Sequence, residues 1–349
     1  MKVVTFDIGV GTIDILVWDS EKVNIFKMVM PSPLQFISKR IKSINDRDLL
    51  INGIEMGGYP IGSAIISHLS KNLKVYMTYP AWKTIKYNRK YVLDKGIQIV
   101  DEKKANKLNE KPNIEVEFLT DLNIDYYFEL FTHFGIETDF DYIGIAVQDH
   151  GYSADKKSST NFRREWIVNL LKNKPKFSNF LFSHKSIPDY LSRSKGLANY
   201  IYEKTGIPLF IADTVIVAMK GCLYDPNISH KRLITMDIGN GHTCAFSIDS
   251  EEILGYFEFH THSITPEKLE WALNSLVNGD LTNEDILKLD GHGAYIRKKM
   301  DNDYKIIVTG PRRDIMENVK LEYVFGAPFG DHMITGAVGL LKLILERIK

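Results

Sequence analysis

The chain has 349 residues, 44% of them hydrophobic and 25% charged, enough apolar material for a large buried core and a length that suggests about two domains. Its 44 basic and 44 acidic side chains cancel, which argues against a global basic field for nucleic acid or an anionic membrane. With Cys222 and Cys244 as its 2 cysteines, it lacks a disulfide framework and a four-thiolate zinc or iron–sulfur site; the pair reads as buried thiols of a cytoplasmic protein.

The N-terminus enters a β-meander directly, leaving no room for a signal peptide: residues 3–8, 13–18 and 23–28 are apolar, β-branched runs separated by turn residues. A helix begins near Pro60, with Ile61, Ala64, Ile65 and Leu69 at helical spacing. A strand at 74–78 ends at Pro80, and 82–94 reads as helical. Residues 101–111, rich in Lys, Glu and Asn, read as a solvated linker. A helix at 122–134 and a buried strand at 142–147 follow, then helices at 163–171 and 188–204, a strand at 209–211 and a helix at 214–222. Asp225-Pro226-Asn227 is a turn signal and a domain junction.

The second half repeats the plan. Residues 233–238, 243–248 and 254–259 form another meander. Helices follow at 266–278, opened by Pro266 at its first position, and at 283–289. A short strand at 305–308 ends in Thr309-Gly310-Pro311. The last helix, 331–348, is broken by Lys342, Glu346 and Arg347, so it reads as amphipathic and not as a membrane span. The expectation is a mixed α/β fold present twice, with lobes at 1–225 and 226–330 and the final helix, 331–349, packing back on the first. Trp82, Trp166, Trp271 and the Tyr126-Tyr127-Phe128 cluster read as core.

The two halves share more than their outline. Residues 6–21 read FDIGVGTIDILVWDSE and residues 236–251 read MDIGNGHTCAFSIDSE. Without a gap, Asp7, Gly9, Gly11 and Asp19-Ser20-Glu21 meet Asp237, Gly239, Gly241 and Asp249-Ser250-Glu251. Each copy is a strand, a glycine-rich turn carrying an acid, and a second strand. Glycine lets the backbone approach a ligand without a Cβ in the way, and successive N–H groups in such a turn make a concave anion site. The acids repel phosphate directly but can hold Mg2+, which bridges them to it. Thr12 and Thr243 offer hydroxyl donors, and His242 is placed to touch phosphate. A tight hairpin whose Asp bonds its own turn is the alternative for one copy alone; two copies in matching context point to a polyphosphate gripped from both sides.

The pair resembles the phosphate-1 and phosphate-2 motifs of the actin, sugar-kinase and heat-shock-70 ATPase superfamily, most closely at Asp237-Ile238-Gly239-Asn240-Gly241-His242-Thr243. Residues 212–218 look like the first connecting helix of that superfamily. Val308-Thr309-Gly310-Pro311 looks like its adenosine turn, with Pro311 where a second glycine is usual. Gly330-Asp331 through Gly336-Ala337-Val338-Gly339 looks like its second connecting helix. The resemblance implies two ribonuclease-H-like (actin-like ATPase) domains, each a mixed sheet with flanking helices, around an interdomain cleft. It further implies ATP at the cleft base and Mg2+ on Asp7 and Asp237. In more detail the chain is similar to an archaeal family labelled as pyruvate formate-lyase activating enzyme. That label does not suit these residues: such activases resemble radical-SAM proteins with a three-cysteine cluster motif, and this chain has 2 cysteines, far apart.

Asp149, in the Gln148-Asp149-His150-Gly151 that follows the strand at 142–147, is the candidate general base, with His150 as the other titratable choice. An Asx turn before glycine is the competing reading. Asn161, Arg163 and Arg164 could meet a planar anion or simply start a basic helix. His260 and His262 share a strand face and, with His292, could bind a transition metal or line the cleft as polar surface. The functions weighed are an ATP-dependent phosphotransferase acting on a small-molecule acceptor, an ATP-driven activator or chaperone-like partner of another protein, and a nucleotide-binding module without turnover. A filament former is a fourth case. No nucleic-acid or membrane partner is expected.

Overall fold

The apolar runs at the N-terminus become β1 (Lys2–Ile8), β2 (Thr12–Asp19) and β3 (Phe26–Pro31), an antiparallel meander in a computed structural model that describes residues 1–22, 25–152 and 159–349. The third predicted run began at Val23 and Asn24, which lie outside the described residues. β1 is buried continuously from Val3 to Ile8, the pattern of a strand covered on both faces.

The chain then leaves through α1 (Pro33–Ser43) into a unit that the sequence reading did not resolve. There β4 (Asp48–Gly53), α2 (Tyr59–Leu69), β5 (Val75–Thr78), α3 (Arg89–Asp94), β6 (Gln98–Val100), α4 (Glu102–Asn109) and β7 (Ile114–Leu119) follow one another. Their strands form an all-parallel sheet in the order β6-β5-β4-β7, over a core of its own that includes Ile51, Ile61, Ile65, Met77 and Trp82. The predicted helix at 82–94 is a 3-10 turn, Ala81–Thr84, followed by α3. The predicted linker holds α4, capped by Asp101, which accepts the Lys104 N–H at 2.7 Å. Ala105 and Leu108 are its buried positions, so its composition reads as solvent-exposed.

Next come α5 (Ile124–His133), β8 (Tyr142–Val147), α6 (Ser159–Asn173), β9 (Phe182–Ser183), α7 (Ser192–Thr205), β10 (Leu209–Ala212) and α8 (Thr214–Cys222). They complete a first sheet of order β3-β2-β1-β8-β10-β9, in which β8 runs parallel to β1 and β10 parallel to β8. The second half supplies β11 (Arg232–Ile238), β12 (His242–Asp249), β13 (Glu252–His260), α9 (Pro266–Asn278), α10 (Asn283–Lys288), β14 (Gly291–Ile296), β15 (Lys305–Thr309), β16 (Val324–Phe325) and α11 (Thr335–Ile348). Its sheet runs β14-β13-β12-β11-β15-β16, again with an antiparallel meander joined in parallel at its first strand. The same arrangement twice is the plan of two ribonuclease-H-like domains.

The last helix opens at Thr335, a few residues after the predicted start, because Phe329 takes φ 54° and 328–330 form a separate 3-10 turn. It packs on α8 and against β1 and β8. Ile216 and Val217 of α8 and Ala337, Leu341 and Ile344 of α11 share one core with Val4, Phe6 and Ile145. That core also takes in Phe246 and Tyr256 from the second sheet, so the two sheets are joined through apolar contact. Trp82 and Trp166 are buried as expected, but Trp271 and Tyr126 are 39% and 59% exposed. Among the described residues no helix is long and apolar enough to cross a membrane.

Candidate functional site

The two glycine-rich turns have the same backbone. Gly9 N–H donates to the Thr12 carbonyl at 2.9 Å, and Gly239 N–H donates to the His242 carbonyl at 2.9 Å. At the turn tips, the N–H groups of Val10, Gly11, Asn240 and Gly241 donate to no backbone acceptor among the described residues. The turns also touch: a Cβ on Gly11 would lie 2.5 Å from Asn240 Nδ2.

Between them lies a cavity of about 90 Å³. Of the residues singled out from sequence, Asp7, Gly9, Gly11, Thr12, Asp237, Gly239, Asn240, Gly310 and Pro311 line it. Sequence reasoning missed Asp14; Thr214, Thr309, His332, Thr335 and Gly336 also line the cavity and lay within the stretches likened to the connecting helices and the adenosine turn, without a site role of their own. Asp14 had a signal. It interrupts an apolar strand and stands directly opposite Asp7 in the hairpin register, so both side chains share a face. Two glycines let the backbone close on the acids. Gly310 has φ +98°, and a Cβ there would sit 2.4 Å from Asp237 Oδ1; a Cβ on Gly336 would sit 1.7 Å from Asp7 Oδ2.

The acids are under electrostatic stress. Burial, then the neighbouring Asp14 charge, raises Asp7 well above the carboxylate range, although Thr214 Oγ1 donates to it at 2.5 Å. Burial pushes Asp14 up to about 7 against a hydrogen bond from Thr12, with the Asp237 charge adding to the rise. Burial likewise pushes Asp237 up to about 7. Asp14 Oδ1 is buried with no hydrogen-bond partner, and among the described residues no lysine or arginine lines the cavity. Buried carboxylates without a counter-charge are costly. Their oxygens are the donor set that suits a hard divalent cation such as Mg2+.

A second cavity, of about 230 Å³, adjoins the first and shares Gly9, Val10, Thr214, Asp237, Gly239 and Asn240 with it. Gly241 and His242 face this side, together with Gln148, His150 and Arg193. Arg193 is committed to Asp121 at 2.7 and 2.8 Å.

Four expectations change. Asp149 does not face either cavity. One oxygen accepts from Gly151 N–H at 2.8 Å and the other from Ser194 N–H at 2.8 Å, in the first turn of α7. Burial raises its pKa and these two bonds oppose the rise. It is an Asx turn and a helix cap, with both oxygens occupied, and not a base at the cavity. Thr243 is fully buried and shares a hydrogen bond with Thr261 at 3.0 Å. It lies one strand position beyond His242 and so points to the opposite face, away from any phosphate. Arg163 is buried against Asp213, with one contact at 3.1 Å, and against Glu258 at 3.4 Å. It ties α6 to β13 instead of presenting a guanidinium to a ligand.

Around Glu258 the histidines regroup. Nitrogens of His242, His260 and His292 lie within 4.8 Å of one another. His262 is outside that group, stacked on His260 with ring centroids 5.2 Å apart. The expectation that His242 is better placed to touch phosphate than to join the histidine group therefore changes, and His242 takes the place expected of His262. Burial favours the charged form least and would raise Glu258, but Arg163, then His242, holds it well below the usual carboxylate range. Burial lowers His292 to about 4 and His150 to about 3, and lowers His260 too.

No curated protein matches the chain. Among solved structures it is similar to the ethanolamine utilization protein EutJ from Carboxydothermus hydrogenoformans, at 10% identity, 97% coverage of this chain, 89% of that chain and TM-score 0.38. It is similar to a Bacteroides thetaiotaomicron protein with an actin-like ATPase fold, at 7% identity, 99% and 95% coverage and TM-score 0.39. A ROK family glucokinase from Streptomyces griseus in complex with glucose and AMPPNP follows at 11% identity, 98% and 99% coverage and TM-score 0.36. Likenesses this remote carry no argument about activity. Residues 56–315, most of the chain, match one family, and the chain belongs to it: the family described as "Putative pyruvate format-lyase activating enzyme (DUF1786)".

Proposed function

We propose that the protein binds ATP with Mg2+ between its two turns and acts on the terminal phosphate, as a phosphotransferase or ATPase. The observation that carries this reading is the meeting of two equivalent turns over one cavity with two buried carboxylates, Asp7 and Asp14, the half-buried Asp237, and no lysine or arginine among its described lining residues. A polyphosphate entering such a cavity would be repelled unless a cation came with it. Asp7, Asp14 and Asp237 would hold that ion, and it would supply charge neutralisation at the phosphates. The tip N–H groups of Val10, Gly11, Asn240 and Gly241 would bind phosphate oxygens, while the Thr214 and Thr12 hydroxyls hold Asp7 and Asp14 in place. Gly310 and Pro311 would wall the nucleoside side.

The lobes in this reading are residues 1–225 and 226–330, with 331–349 returning to the first. A cavity of about 90 Å³ is far smaller than the roughly 300–1,000 Å³ of ordinary ligand pockets. Nucleotide entry therefore requires the turns to separate, and closure excludes water. His150, from the first lobe, faces the second cavity; burial, then Arg163, keeps it neutral near pH 7.

A second reading, hydrolysis that drives a partner protein, is favoured by one observation. Among its described lining residues the second cavity offers Asp237 as its carboxylate, with no separate acid for an acceptor hydroxyl. Radical-SAM chemistry, to which activases of the kind named in the family's description bear a resemblance, finds no support: Cys222 and Cys244 are both buried and cannot supply three cluster thiolates.

Calorimetry with ATP, ADP and GTP, with and without Mg2+, tests the proposal. Binding of ATP that requires Mg2+ is the expected result. Failure of every nucleotide to bind under both conditions rules the reading out.

A further inference from the structure

Three neighbouring antiparallel strands each bring one imidazole to the same place. His242 opens β12 and pairs in register with His260 at the end of β13. His292 comes from β14, whose register with β13 shifts at Glu258/Phe259. The bulge there turns the third imidazole toward the other two. His292 Nε2 lies 3.1 Å from His260 Nε2 and 3.2 Å from its Nδ1, so either nitrogen of His260 can be turned toward a shared ion. A tetrahedral ion with nitrogen bonds of about 2.0–2.1 Å holds its ligand nitrogens about 3.3 Å apart. That is close to the His260–His292 spacing, and the His242 ligand atom is within 4.8 Å of both.

The surroundings are those of a metal centre. Glu258 is buried two residues before His260 on β13 and shares its face. Its Oε1 lies 3.1 Å from His242 Nδ1 and 3.9 Å from His292 Nδ1. Both Nδ1 atoms are buried and make no hydrogen bond as they stand. A carboxylate on the Nδ1 side of two histidines is placed to accept from those nitrogens once the rings turn toward it, which would leave Nε2 to ligate. Arg163 at 3.4 Å and Gln148 at 3.1 Å hold Glu258 in turn.

We propose that His242, His260 and His292 form a binding site for one first-row divalent transition ion of the zinc type, with Glu258 orienting the ligands from behind. Imidazole nitrogen is the donor that zinc, iron, copper and nickel prefer, whereas the carboxylates of the neighbouring cavity suit magnesium. Protein ligands that number three leave a coordination position open, as in catalytic rather than structural zinc sites. His242 and His150 line one cavity, which puts the site at the wall where the second substrate of the proposed reaction would lie. The ion is independent of nucleotide binding, so either proposal can fail alone.

The test uses the full chain without a histidine tag, stripped by chelator. Zn2+ titration by calorimetry is expected to give one ion per chain, and Co2+ is expected to give visible d–d absorption of an imidazole-ligated ion. His260→Gln and His292→Gln should each weaken Zn2+ binding at least ~100-fold, more than loss of an outer partner does. His262→Gln should leave it within about 3-fold of the unaltered protein, since His262 is stacked outside the cluster. Absence of visible absorption from Co2+ in the unaltered chain overturns the proposal without any variant having to fold. So does equal loss of Zn2+ binding in His262→Gln.

Discussion

The two turns share a backbone but have diverged in chemistry. Where the first copy sets Asp14 opposite Asp7, the second sets Cys244 opposite Asp237. Where the first closes its turn with Thr12, the second closes with His242. A hairpin of given register needs only glycine at the tip and apolar residues along the strands, so the positions facing the ligand are free to differ. The first copy has become oxygen-rich and the second nitrogen-rich. Neighbouring halves of one cleft are thereby suited to cations of different hardness.

The largest expected effect comes from removing the acid common to both copies. Asp7→Ala or Asp237→Ala should lower Mg2+-dependent nucleotide turnover by at least ~100-fold. Each removes a carboxylate whose pKa is raised, so the ion-free variant should melt no lower than the parent near pH 8. Turnover assays beside calorimetric melting check this; full activity in both variants would break the claim that the copies act together.

Making the first copy resemble the second sharpens the comparison. Asp14→Cys should weaken Mg2+ binding roughly tenfold, since ligand charge sets affinity for hard cations, while Zn2+ binding stays unchanged. Metal titrations of the one variant with both ions separate the two sites. Loss of both affinities together would mean that the cavities do not act as distinct donor sets.

Asp149→Asn should cost roughly 1–3 kcal/mol of stability, because a side-chain NH2 replaces one of two acceptors for buried N–H groups. Turnover per folded molecule should stay within about threefold. The reverse pattern, unchanged melting with a large loss of turnover, would return Asp149 to the role of base.

The smallest effect is in pH dependence. Asp14 and Asp237 titrate near 7 when folded, above the roughly 4 of an unfolded carboxylate. Between those values the folded state holds more protons than the unfolded one, so these groups make the ion-free protein less stable as pH rises from about 4 to about 7. Mg2+ competes with the same protons. The rise in melting temperature that it gives should therefore grow from about pH 5 to about pH 8. A rise of constant size across that range would contradict ion binding by these acids.

Much of the site could be read in advance, and the failures have local causes. The paired turns were legible because residues 6–21 and 236–251 align without a gap and glycine has few other reasons to recur there. Asp149 was legible as an Asx turn or as a base, and only Ser194, 45 residues away, decides between them. The parallel sheet of β4 to β7 was hidden by strands as short as the three residues of β6 and by a helix, α4, that buries only Ala105 and Leu108 among its described positions. Thr243 follows His242 directly on a strand, and alternation alone turns its side chain to the opposite face.

Sequence by itself determined the strand runs, both glycine turns and the doubled α/β plan, because periodicity and turn chemistry act over a few residues. Only the tertiary structure decided which side chains meet: Asp7 with Asp237, Arg163 with Glu258, His242 with His292. Those partners are separated along the chain by far more than any local pattern reaches. They are brought together by sheet pairing and by the shared core of α8 and α11, and spacing along the chain carries no record of either.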